Sequence, residues 1–86
     1  MGFKKIGRIG LFEGRMICVL DGIGGFHFDD RALRSMRDGR KVGEVAKSKS
    51  GRAVNVRLAG RMFTAAWADL VRVVQNGGKA AVFEVA

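Results

Sequence analysis

Eighty-six residues suffice for one domain with a modest core and leave no room for two. Hydrophobic residues at 48% and charged residues at 28% are the balance of a folded chain, which excludes a disordered one. Cys18 is the only cysteine, so an intrachain disulfide and a cysteine-based metal cluster are excluded. No apolar run approaches the ~20 residues of a membrane-spanning helix, and a cytoplasmic protein without membrane contact is the expectation.

The formal charge of +8 is unevenly spread. From Arg31 to Arg61, ten basic residues stand against Asp38 and Glu44, while the rest of the chain holds six of each sign. A local excess of this size attracts polyanions by Coulomb attraction and counterion release.

In chain order, Phe3 to Phe12 and Arg15 to Leu20 flank Glu13-Gly14 and read as a β-hairpin. The second arm, Met16-Ile17-Cys18-Val19-Leu20, is apolar on both faces and suggests a central or interface strand. Asp21 to Gly25 reads as a turn, followed by a short strand at Phe26-His27-Phe28. Asp29 then suits the N-cap of a first helix that presents Ala32, Leu33 and Met36 inward and ends at Gly39. Lys41 to Lys47 and Arg52 to Leu58 flank Ser48-Lys49-Ser50-Gly51 and form a second hairpin, with Val54, Val56 and Leu58 on its buried face. Thr64 suits the cap of a second helix whose apolar face runs Phe63, Trp67, Leu70, Val71 and Val74 and which stops at Gly77-Gly78. Lys79 to Val85 closes the chain as a strand.

The predicted fold is therefore α+β, a single largely antiparallel sheet of about five to six strands with two helices. Residues 15–46 and 52–86 share their punctuation, finish as Glu44-Val45-Ala46 and Glu84-Val85-Ala86, and suggest two ββαβ repeats within one domain. Apolar surface in excess of one core, at Trp67, Val71, Val73 and Val74, points to a homodimer that uses the edge strand Lys79 to Val85.

The candidate nucleic-acid-binding residues are Arg31, Arg34, Arg37, Arg40 and Lys41 on and after the first helix. Lys47, Lys49 and Arg52 join them at the hairpin tip, with Arg57 and Arg61 beyond it. A Ser-Lys-Ser-Gly tip suits a phosphate backbone, because serine hydroxyls and backbone N–H groups add hydrogen bonds. The segment contains no aromatic residue, so backbone tracking is expected over base stacking, and stacking would have to come from Phe12, Phe26 or Phe28.

Other motifs carry less. Gly25-Phe26-His27-Phe28 resembles part of the Gly-Phe-Gly-Phe sequence of the RNA-recognition motif, and the element order from Gly24 onward matches that family's topology. The chain departs from it at Gly24, which replaces a basic residue, and at His27, which replaces a small one. It also has the tetrapeptide before the first helix, where the family carries it on the third strand. Gly7-Arg8-Ile9-Gly10 has the GxxG spacing of KH domains but lies in strand-like sequence. His27 beside Asp29 and Asp30 lacks the further partners of a metal or acid–base site, and no nucleophile has a paired base. A non-enzyme without metal or cofactor is expected. Its leading function is nucleic-acid binding, DNA or RNA; the rival is an adaptor whose basic face docks an acidic protein.

Overall fold

The computed structural model describes residues 2–85 and folds them into a closed antiparallel barrel of eight strands. The strands are β1 (Phe3–Phe12), β2 (Arg15–Leu20), β3 (Gly24–Asp29), β4 (Ala32–Ser35), β5 (Lys41–Lys47), β6 (Ala53–Leu58), β7 (Arg61–Ala66) and β8 (Lys79–Val85), with one helix, α1 (Trp67–Asn76), between the last two. Each strand pairs with its sequence neighbours, and β8 returns to pair with β1 from Phe3↔Val85 to Gly10↔Lys79. The helix is not long and apolar enough to cross a membrane.

Alternation builds the interior. Ile9, Cys18, Leu20, Phe26, Leu33, Val56, Leu58, Phe63 and Val82 point inward and are buried, while the residues between them face out, as a half-buried strand requires. Phe63 is fully buried, and truncating a core phenylalanine to alanine costs about 3–5 kcal/mol. Leu70 and Val73 of α1 plug one mouth of the barrel. The β1–β2, β3–β4 and β5–β6 connections lie at that helix end, because β7 runs into α1 and the strands alternate in direction.

Strand curvature is set at two places. Ile6 and Val42 are each skipped in the pairing of their strands, and each is followed by an inward glycine, Gly7 or Gly43. A Cβ at Gly7 would stand 2.1 Å from the Val19 carbonyl oxygen, and one at Gly43 would stand 2.2 Å from that of Arg57. Only glycine admits so close an approach of the next strand.

The α+β expectation, with its two helices, five to six strands and ββαβ repeats, is overturned by this barrel. The first predicted helix is instead the β3–β4 hairpin, in which Asp29 pairs with Ala32 across a turn where Asp30 takes φ 56°. Aspartate tolerates the left-handed region, so Asp30, next to the residue read as the cap, reverses the chain. Leu33 and Met36 then part company, one buried in the barrel and the other half exposed. The second helix begins later than its Thr64 cap implies: Thr64 lies in β7, Ala66 is the N-cap and no side chain caps it. The RNA-recognition-motif order fails with the first helix, and Phe26 lines the barrel core. Strand β8, expected at a sheet edge, is instead a member of the closed barrel, pairing along its length with β1 and at Phe83 and Glu84 with β7.

Candidate nucleic-acid interface

An up-and-down barrel keeps sequence neighbours as spatial neighbours, so the basic segment becomes one sector of wall, formed by β4, β5 and β6 with their connections. Arg34, Lys41 and Arg57 lie on its strands, Arg31 in the β3–β4 turn, and Arg37 and Arg40 in the β4–β5 connection at the far end. At the helix end Lys47 terminates β5, and Lys49 and Arg52 belong to the β5–β6 loop. Arg61 begins β7 at the margin of the sector.

The structure divides these ten cations into two sets. Arg34 is held by Asp29 at 2.8 Å and also donates to the Gly39 carbonyl at 3.0 Å. Lys41 lies 3.7 Å from Glu44. Arg61 binds Glu84 through two hydrogen bonds of 2.7 Å, which raise the guanidinium pKa further and hold the carboxyl below its ordinary range. The other seven, Arg31, Arg37, Arg40, Lys47, Lys49, Arg52 and Arg57, have no carboxylate within 4 Å among the described residues. Asp38, the other acidic residue of the segment, accepts a hydrogen bond from the Arg40 backbone.

The outer face of the hairpin between β5 and β6 is shallowly concave. Arg31, Glu44, Ala46, Asn55, Arg57 and Met62 line one depression of about 420 Å³. A second depression of about 660 Å³, lined by Lys41, Glu44, Arg57 and Arg61 among others, continues it toward the far end. Cross-strand register explains the arrangement: Glu44 pairs with Arg57, and Ala46 with Asn55, which pairs with Thr64. Small residues therefore leave room beside the long cationic ones.

The loop is more ordered than its Ser-Lys-Ser-Gly sequence suggests. Ser48 Oγ accepts from the Ala53 N–H at 3.2 Å and meets Ser50 Oγ at 3.2 Å, and Ser50 Oγ accepts from the Arg52 N–H at 3.3 Å. The serines thus shape the loop internally, and the side chains of Lys49 and Arg52 take no part in these bonds. No match to this chain is found among protein-family models, curated proteins or solved structures.

The sequence puts Trp67 on an apolar helix face with more surface than one core covers, and in the structure it lies beside the basic loop. Its backbone N–H donates to the Arg52 carbonyl at 2.8 Å, the residue is 39% exposed, and the Lys47 ammonium sits 4.1 Å from the ring centroid. An aromatic side chain absent from the basic segment is thereby folded against its tip. No sequence signal marked this, because the helix starts at Trp67 without a side-chain cap, which puts Trp67 on the first turn. Beside it a cleft of about 410 Å³ opens between α1 and the strand ends, lined by Met16, Phe28, Val45, Val54, Trp67, Leu70, Val71, Val74 and Gln75. Phe12 is exposed at the β1–β2 hairpin. His27 faces out on β3, paired with Arg34, and no group of three or more metal-binding side chains converges among the described residues.

Proposed function

We propose that the chain binds nucleic acid without catalysing a reaction, through phosphate contacts along the sector formed by β4, β5 and β6. The observation that carries this reading is the set of seven cations without carboxylate partners on one continuous part of the wall. A guanidinium already bound to a carboxylate offers a phosphate little, because that interaction must be broken first. An unpartnered one releases a condensed counterion from the polymer and gains in solvent entropy. Arg31, Lys47, Lys49, Arg52 and Arg57 are accordingly the principal contacts, Arg37 and Arg40 extend them, and Arg34, Lys41 and Arg61 chiefly hold the wall. Strand β5 spans about 20 Å at ~3.3 Å per residue, which separates the cations at the far end from those at the helix end by several phosphates.

Fluorescence anisotropy of labelled single-stranded DNA, duplex DNA and RNA tests this reading. Binding at about 50 mM salt should weaken roughly a thousandfold by about 200 mM if six phosphates are contacted. Absence of binding to all three at the lower salt contradicts the reading. Salt-dependent binding to polyglutamate alone would instead favour the acidic-protein partner.

A further inference from the structure

We infer that the site takes single-stranded nucleic acid in preference to duplex, with one unstacked base laid against Trp67 while its phosphates stay on Lys47, Lys49 and Arg52. The inference rests on the nucleic-acid reading above and adds the strandedness of the ligand.

Three observations meet at the barrel mouth. First, the backbone N–H of Trp67 donates to the Arg52 carbonyl, which ties this partly exposed residue to the basic loop, so an anion on the loop brings its attached base within reach of the ring. Second, the Lys47 ammonium already covers the ring at 4.1 Å, and it has no carboxylate partner among the described residues. That ring face is therefore covered by a movable charged side chain and not sealed in the core. An arriving base replaces that contact by stacking, and the flexible lysine stem lets the ammonium turn to the phosphate of the same nucleotide. Third, the cleft beside Trp67 is walled by Met16, Phe28, Val71 and Val74, with Gln75 at its margin. Apolar walls suit the faces of a base and not its hydrogen-bonding edge, so the edge remains toward water and every base is accepted. Such sequence-tolerant stacking is how single strands are commonly held.

Charge complementarity selects this occupant for the apolar cleft. Lys47 lies over the Trp67 ring and the Arg52 backbone is hydrogen-bonded to Trp67, which lines the cleft, and a nucleotide supplies both a flat apolar face and an attached anion. A duplex supplies the anion alone, because its bases are stacked and paired; presenting one requires flipping it out.

Trp67 is the only tryptophan, so its emission reports the event directly. The full chain is titrated with single-stranded oligothymidine and with a duplex of equal length, following tryptophan fluorescence and, separately, anisotropy of the labelled nucleic acid. Oligothymidine should quench Trp67 and bind at least about tenfold more tightly than the duplex, the scale expected for loss of one base stack. Trp67→Leu should lower single-strand affinity about tenfold and leave duplex affinity unchanged, which also shows that the variant folds. Trp67→Phe should retain most of the single-strand affinity. If both ligands bind with steep salt dependence, yet Trp67 emission is unmoved and Trp67→Leu is neutral, this inference is overturned and the basic-sector reading stands. If neither ligand binds, both fail. Self-association in sedimentation that Trp67→Leu abolishes, without change in single-strand affinity, would assign the cleft to a second copy and likewise overturn it.

Discussion

The two halves of the barrel, β1 to β4 and β5 to β8, share one pairing register but differ in their connections at the helix end. Gly7 pairs with Leu20 and Val82 as Gly43 pairs with Leu58 and Leu33. Cys18 pairs with Phe26 as Val56 pairs with Phe63. Yet the first half joins its strands there through the short turns Glu13-Gly14 and Asp30-Arg31, where the second inserts the basic loop 48–52 and then α1. The interior pattern supports the barrel in both halves. What distinguishes the second is an elaborated mouth, where Lys47, Arg52 and Trp67 are brought together.

If the halves are mechanically equivalent, breaking either should cost alike. Gly7→Ala and Gly43→Ala each force a Cβ against a carbonyl oxygen of the next strand and are expected to destabilise by about 3 kcal/mol, the upper part of the range for overpacking. Urea midpoints measure this. A loss at one glycine with none at the other would show that only one half bends at its bulge.

Cys18 and Val56 hold equivalent places, and only the former titrates. Burial pushes the Cys18 thiol up to about 12 from its ordinary 9.0. Between those values the unfolded chain loses a proton that the folded chain keeps, so stability is full below pH 9 and falls as pH rises, by at most about 1.4 kcal/mol per pH unit. Thermal unfolding from pH 8 to 11 should show the decline, and Cys18→Val, which copies the other half, should remove the thiol's share of it. An unchanged slope would place the titration elsewhere.

The smallest effect belongs to Glu84, whose counterpart is Ser35. Because Arg61 lowers its pKa, the pair stabilises the fold above the ordinary carboxyl pKa and the contribution is lost as pH falls through the lowered value. Glu84→Gln should flatten the acid limb of a stability profile below about pH 4.5 slightly. A profile that is unaltered from pH 5 to pH 2 would mean that the exposed pair contributes nothing measurable, as many surface pairs do.

Hairpins were the legible part of the fold. Glu13-Gly14 and the alternation of Val54, Val56 and Leu58 carry their own geometry, and both hairpins form where the sequence suggests. Barrel closure was not legible, because it depends on the pairing of β8 with β1 and on two bulge-and-glycine sites whose sequences, Ile6-Gly7 and Val42-Gly43, look ordinary. The span from Asp29 to Gly39 misled for a physical reason: a good N-cap residue is also a good left-handed turn residue, and only the partner strand decides between them. Charge was legible in amount but not in partnership. Asp29, Glu44 and Glu84, distributed over three strands, decide which arginines and lysines remain open, and no local pattern marks those meetings.

Whether position or mere net charge governs binding is the central question. The direct measurement is the slope of log affinity against log salt for the native chain and two variants of equal charge. One carries Lys47→Gln, Lys49→Gln and Arg52→Gln; the other carries Lys4→Gln, Lys5→Gln and Lys79→Gln on β1 and β8, across the ring from β5. The slope for a single strand should fall by about 2 in the first variant, at ~0.7 per lost phosphate contact, and stay at the native value in the second. Equal changes in both would contradict the assignment of binding to the sector formed by β4, β5 and β6.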